Sequence, residues 1–215
     1  MDDYHKRNAK IKLIKINHDN ESAVADILLE AFTEEGLSNY LYDFSNPQTR
    51  ALFNSLGKLK LRLFTKGGHT AVAALVNGEI AGAAFVYHSE KTPFLKAFAI
   101  YYSKIIFIFP KMLKALQIKR ALKTKNLMHR PKEVQQPFYT FEILGVSKKY
   151  QGQGIGKMLL NYITELVKKD KNAKGIYIYT ADKKNQLIYE KSGYETVAER
   201  HGEGITIYHL WMSTK

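Results

Sequence analysis

The sequence has no cysteine, which removes disulfides, thiolate nucleophiles and thiolate metal sites together. Any catalysis must use other groups, and the absence fits a reducing, cytoplasmic compartment. Long apolar runs are missing too. The most apolar stretch, Ala97 to Phe109, contains Ser103 and Lys104 and falls short of the roughly 18 residues that a membrane-spanning helix needs. Met1 to Lys10 is polar and charged, so it reads as an N-terminal extension and not as a signal peptide. Acidic residues are scarce: 20 Asp and Glu face 33 Lys and Arg, for a formal net charge of +13. Such a surplus favours anionic partners, whether nucleotide phosphates, nucleic acid or acidic membrane surfaces. The seven histidines show no HxH or HExxH spacing, and no metal site is expected.

What is present suffices for one sizeable core. With 45% hydrophobic residues in 215 positions, a single domain over 1–215 is expected. Ile11 to Ile16 alternates apolar residues with lysines, the period of a half-buried strand. Val24, Ile27, Leu28, Ala31 and Phe32 then recur at helical spacing, with Asp19 or Asn20 available as a cap. A second helix is expected over Thr49 to Phe64, through Leu52, Leu56, Leu59 and Leu63, ended by Gly67-Gly68. Two strands follow, His69 to Val76 and Glu79 to His88, joined by the hairpin signal Asn77-Gly78. Thr92 to Lys132 holds ten lysines and arginines and no acid; it reads as one or two helices broken near Pro110.

Phe138 to Val146 returns to strand. The next helix carries a stripe of Ile155, Met158, Leu159, Tyr162, Ile163, Leu166 and Val167. Ile176 to Thr180 is a short strand, Asp182 caps a helix that stops at Gly193, and Tyr194 to Ala198 and Ile205 to Trp211 are the last strands. The fold class is therefore α/β of α+β type.

Between the strand ending at Val146 and the helix opening near Ile155 lies Gln151-Gly152-Gln153-Gly154-Ile155-Gly156. Glycines let the backbone turn tightly and lie close to a ligand, and free N–H groups at a helix start point toward negative charge. A pyrophosphate suits such a turn. The segment is not a P-loop, because Met158 follows Lys157, and the glycine spacing does not fit the dinucleotide fingerprint.

From Phe141 through Leu160, with Gln151, Gly154 and Gly156 in a Q/R-x-x-G-x-G/A pattern, the chain resembles the acetyl-CoA-binding motif of the GNAT N-acetyltransferase superfamily. Thr180-Ala181-Asp182, Asn185, Tyr189 and Gly193-Tyr194 are similar to that family's second signature. The resemblance is tight over about 138–197, the expected acetyl-CoA-binding core, and looser before it. It implies a mostly antiparallel central sheet of about seven strands flanked by helices, with 92–132 as a helical insertion that shapes the acceptor site.

The resemblance also implies roles. Main-chain amides of Gln151, Gly152, Gln153, Gly154, Ile155, Gly156 and Lys157 hold the pyrophosphate of acetyl-CoA. The backbone of Leu144, Gly145 and Val146 pairs with the pantetheine arm as an added strand, and an amide there polarises the thioester oxygen. Asn185 and Tyr189, four apart on one helix face, contact the pantetheine arm and return a proton to the CoA sulfur, respectively. A core tyrosine is the other reading of Tyr189. Glu142 is the candidate base: regular alternation puts it on one face with Leu144 and Val146, and an alkylammonium with pKa near ~10.4 must lose a proton before attack. A solvated or salt-bridged glutamate is its other reading, since many family members deprotonate the amine through water. His129, Glu133 and Tyr139 are minor candidates for acceptor contact.

The expected activity is N-acetylation of a primary amine on a small molecule or peptide by direct attack in a ternary complex. A non-catalytic acyl-CoA sensor is the alternative. No specific nucleic-acid partner is expected, because no recognised module is present. The basic insertion packs as a lid, or touches acidic lipid or CoA phosphates weakly. Monomer and homodimer both stay open, and the acidic residues Glu30, Glu34, Glu35 and Asp43 offset the positive charge locally.

Overall fold

The computed structural model describes residues 11–66, 68–91 and 106–214; the N-terminal extension and the first part of the insertion, with Phe94, Phe98, Tyr101 and Tyr102, lie outside them. Seven strands form one sheet: β1 (Ile11–Lys15), β2 (Thr70–Val76), β3 (Glu79–His88), β4 (Tyr139–Val146), β5 (Gly175–Thr180), β6 (Glu195–Gly202) and β7 (Ile205–Ser213). Their order is β1-β2-β3-β4-β5-β7-β6. Every neighbouring pair is antiparallel except β4 and β5. The helices are α1 (Glu21–Phe32), α2 (Gly36–Leu41), α3 (Pro47–Lys66), α4 (described over 106–115), α5 (Ile118–Thr124), α6 (Ile155–Lys168) and α7 (Lys183–Glu190). The mixed, mostly antiparallel sheet flanked by helices is the architecture expected.

Asn77 and Gly78 both have positive φ, 52° and 86°, the backbone of a tight hairpin turn whose twist matches its strands. On α6, Ile155, Leu159, Leu160, Ile163 and Val167 are buried, each contributing about 2 kcal/mol through removal from water. Tyr162, expected in the same stripe, is 40% exposed. It lies three residues after Leu159 but on the solvent side of the stripe.

Three local expectations are corrected. Asn20 stands at the N-cap of α1 without a side-chain capping bond; its carboxamide oxygen accepts instead from the backbone N–H of Asn17, closing the preceding turn. Asp182 stands at the N-cap of α7 without capping it, because its carboxylate accepts from Gly36 N at 3.0 Å and so ties α2 to α7. The insertion does not break at Pro110. Helical residues 106–115 run through it, and the break falls at Leu116–Gln117, where Leu116 bridges Tyr42 and Gln117 N bonds Leu41 O at 2.8 Å.

The sheet buries apolar side chains on both faces. Val72, Ala84, Val86, Phe141, Ile176 and Ile178 pack with α6, while Ala73, Ala83, Phe85 and Ile143 pack with Val24 and Leu28 of α1 and Leu61 and Phe64 of α3. Beyond β4, that second face is covered by Val134 and Phe138, which pack on Tyr177 and Trp211. His209, fully buried, and Arg200 hold this connection: His209 Nε2 donates to Leu127 O at 2.8 Å, and Arg200 donates to the carbonyls of Asn126 and His129.

Two irregularities of β4 set up the cleft. Its pairing with β5 is confined to Tyr139↔Ile176 and Thr140↔Tyr177, so the strands part beyond Thr140. The register with β3 also slips, from Val86↔Phe141 to Phe85↔Ile143, leaving Glu142 as an extra residue. That is a β-bulge, which re-aims side chains.

Candidate active site

Where β4 and β5 part, a cleft of about 500 Å³ opens between two walls. One wall is Leu144 of β4, Thr180 of β5, and Asn185 and Tyr189 of α7; the other comes from α1, α2 and α3, with Phe32, Leu37, Leu41, Tyr42, Phe53, Leu56 and Lys60. Glu142 lies between them. Four residues singled out from the sequence, Glu142, Leu144, Asn185 and Tyr189, thus line one space.

The bulge changes one expectation. Glu142 does not share a face with Leu144 and Val146. Phe141 packs on the α6 side and Ile143 on the α1–α3 side, so alternation is broken between them. Glu142 pairs with Lys60 of α3, while Leu144 and Val146 pack toward α6. The ion-paired reading of this glutamate is the one its side chain shows, and it shows it inside the cleft. Both partners keep about a third of their side-chain surface, 38% for Lys60 and 30% for Glu142, so the pair is a weak stabiliser.

Tyr189 is half-buried. Burial, then the charges of Glu35 and Asp182, pushes its hydroxyl up to about 12. Among the described residues no hydrogen bond holds that hydroxyl, so its proton stays in place at neutral pH and faces the cleft unclaimed. Tyr179, on the β5 edge of the cleft, is likewise raised to about 12 by burial, with Glu142 and Glu35 adding. Asn185 Nδ2 reaches Asp182 Oδ2 at 3.4 Å.

The glycine turn lies on the surface beside the cofactor wall's strand. Gln151, Gly152, Gln153 and Gly154 are exposed. Gly152 and Gly154 take φ of 76° and 79°, a left-handed backbone that costs other residues about 1–2 kcal/mol. A Cβ on either would meet no atom of the protein within 4 Å, so internal packing does not demand glycine there. The first helical bond of α6 is Met158 N to Gly154 O. Among the described residues, no protein acceptor takes the N–H groups of 152–157, whereas the Gln151 N–H, expected to join them, donates to Lys148 O at 3.3 Å and closes the short helical turn before it. These open amides stand at a helix start, a setting that suits a diphosphate. Beside them, alternate residues of the parted stretch of β4 turn N–H and C=O into the gap toward β5, although Gln151 Nε2 takes the Val146 carbonyl at 3.3 Å. Open amides and a free strand edge fit the two polar parts of acetyl-CoA.

The match to known proteins follows the same segment. Residues 125–196, about a third of the chain, match the family model described as an acetyltransferase (GNAT) domain. That segment is similar to a GNAT acetyltransferase domain. The matched segment runs from the end of α5 through β4, the glycine turn, α6, β5 and α7 to the start of β6. Solved structures share the GNAT fold over nearly the whole chain. A histone acetyltransferase HPA2 and related acetyltransferase from Corynebacterium glutamicum has 14% identity and a TM-score of 0.66, covering 94% of each chain. An acetyltransferase of the GNAT family from Streptococcus pneumoniae has 12% identity and a TM-score of 0.58, over 95% of this chain and 99% of its own. An N-acetyltransferase from Staphylococcus aureus Mu50 has 12% identity and a TM-score of 0.58, over 96% and 100%. No curated protein matches the chain in sequence.

Three minor candidates lie away from the GNAT cleft. Tyr139 turns to the α6 side and donates to Asp170 at 3.0 Å, and neither His129 nor Glu133 lines the cleft. Sequence reading missed Lys60 and Tyr179, and took Glu35 only as a local acidic charge. Lys60 follows the apolar stripe position Leu56 by four residues, and a charge on a packed helix face requires a partner. Glu35 caps α2, its carboxylate accepting from Leu37 N and Ser38 N at 3.0 and 2.7 Å. Among the described residues, no group of three or more His, Asp or Glu gathers as a metal site, and no helix is long and apolar enough to cross a membrane.

Proposed function

We propose that this protein is an N-acetyltransferase that moves an acetyl group from acetyl-CoA to a primary amine by direct attack in a ternary complex. One observation carries the reading: unclaimed main-chain donors at 152–157 stand beside a parted strand whose gap opens on a cleft holding Glu142 and Tyr189. Acetyl-CoA, when bound, supplies a thioester that an amine can attack and a thiol that can leave.

The amides of Gly152 to Lys157 hold the diphosphate. The backbone of Leu144, Gly145 and Val146 aligns the pantetheine arm as an added strand, and Asn185 contacts that arm. Tyr189 keeps its proton on Oη and presents it to the leaving sulfur. At a pKa of about 12 the phenol is a weaker acid than a thiol near ~8.5, so its contribution is a hydrogen bond that strengthens as negative charge develops. Glu142 takes the amine's proton, directly or through water, and Lys60 holds it in position. This role needs Glu142 to loosen from Lys60 as the substrate ammonium arrives. We assign residues 1–215 to one such domain, working in the cytoplasm.

Two measurements test the reading. Acetyl-CoA at about 100 times its Kd raises stability by about 2.7 kcal/mol, seen as a thermal shift. Adding an amine then releases CoA thiol. A shift without thiol release across a broad amine panel leaves the sensor alternative, and no shift removes the cofactor assignment altogether.

A weaker contact is proposed for the described insertion. Residues 106–132 hold eight Lys and Arg and no acid, and Phe107 and Leu122 are 76% and 69% exposed. Packing of the apolar half on the domain does not account for these two. An acidic membrane surface complements both the apolar and the basic side chains. Co-sedimentation with anionic but not zwitterionic vesicles is the expected result, and equal recovery with both kinds removes the idea.

A further inference from the structure

We infer that the acceptor is a monoamine with an aromatic or bulky apolar body, and that polyamines and polar amino acids are poor substrates. This rests on the acetyl-transfer reading above and concerns the wall of the cleft that the cofactor does not use. That wall is built by α1, α2 and α3, outside the matched domain. Phe53 is its centre: its ring meets Phe32, Tyr42 and Phe44 edge-on at 5.9, 4.6 and 4.7 Å between centroids. Leu41 and Leu56 complete an apolar lining. Edge-to-face rings form a fixed shape that receives another ring or branched chain with little reorganisation.

Charge narrows the class. A polyamine or aminoglycoside needs several free carboxylates, because each buried ammonium without a partner is costly. The cleft's two carboxylates are engaged. Glu35 accepts from Leu37 N, Ser38 N and Ser38 Oγ, and Glu142 is paired with Lys60. Lys60 adds a positive charge where a second ammonium would lie. One nitrogen can reach Glu142 by displacing Lys60, and the rest of the acceptor must then be uncharged. The reaction balances as an ordinary transfer: nitrogen forms the new C–N bond, the C–S bond breaks, one N–H proton leaves through Glu142 to water, and the sulfur departs as a thiolate, hydrogen-bonded by Tyr189, that takes a proton from water to become the thiol.

The experiment compares kcat/KM for 2-phenylethylamine, ethylamine, spermidine and lysine, with acetyl-CoA saturating and thiol release as readout. The expected result is a preference for 2-phenylethylamine of at least about tenfold over each of the others, reduced to below about threefold in Phe53→Ala and in Leu56→Ala. An unchanged acetyl-CoA thermal shift shows that each variant is folded, and Leu56→Ala serves if Phe53→Ala is not. Preference for spermidine or lysine, or an order untouched in the folded variants, overturns the inference while acetyl transfer stands. Thiol release from none of the four, with the thermal shift intact, overturns the acceptor class, and release with any member of the broad amine panel then shows that acetyl transfer itself stands.

Discussion

The two walls of the cleft are made of different material. The wall from β4, β5 and α7, with the glycine turn beside it, presents mainly main chain: open amides, a free strand edge and two side chains four residues apart. The wall from α1, α2 and α3 is a set of side chains brought together across the sequence, with Phe32, Tyr42 and Phe53 as its rings and Lys60 reaching Glu142 across 82 positions. Main-chain recognition of a common cofactor tolerates drift in sequence but requires the turn's glycines. A side-chain wall changes with each substrate, and here it falls outside the matched domain segment.

If the division holds, the largest effect comes from the turn. Gly154→Ala puts a Cβ on a left-handed residue facing the proposed diphosphate, and kcat/KM for acetyl-CoA should fall about a hundredfold, roughly 2.7 kcal/mol. Retention of full cofactor affinity would break the comparison at its firmer side. Tyr189→Phe comes next: kcat should fall about ten- to a hundredfold with KM for acetyl-CoA within about twofold, and a change in KM alone would make Tyr189 a binding residue.

Glu142→Gln should lower kcat about tenfold. It should cost less than about 1 kcal/mol of stability, because the pair with Lys60 is partly exposed. Full activity in this variant assigns deprotonation to water and leaves the cofactor wall untouched.

The smallest effect concerns the connection that closes the other side of the sheet. Burial lowers the pKa of His209 below its usual value near 6.5, so the unfolded chain binds this proton more readily than the folded one. Stability from this group is full above the unfolded pKa and is lost as pH falls from about 6.5 through the folded value. Denaturation midpoints should therefore drop between pH 7 and 5, with a shallower drop in His209→Gln. Equal slopes would mean that the added proton on Nδ1 is accommodated beside the Tyr177 hydroxyl.

Legibility in the sequence followed the same line. The seven strands, the Asn77-Gly78 hairpin, the α6 stripe and the glycine turn are set by local periodicity and by residues with special backbone freedom, and all were readable. Asn185 and Tyr189 were readable too, since four residues on a helix fix a shared face. Capping failed as a guide at Asn20 and Asp182, because each side chain found another partner. Pro110 failed as a breaker, because tertiary contacts of Leu116 and Gln117 with α2 fix where the helix ends.

By itself, then, the sequence determined the order of elements, the open turn and the shared helix face of Asn185 and Tyr189, since these depend on neighbours within a few residues. Tertiary structure alone decided that Glu142 bulges out of β4 toward Lys60, that β4 and β5 part after two paired residues, and that aromatic rings from α1 to α3 face the gap. Register between strands and packing between helices are sums over distant residues. A bulge moves one side chain to the opposite face of a sheet without leaving a local mark.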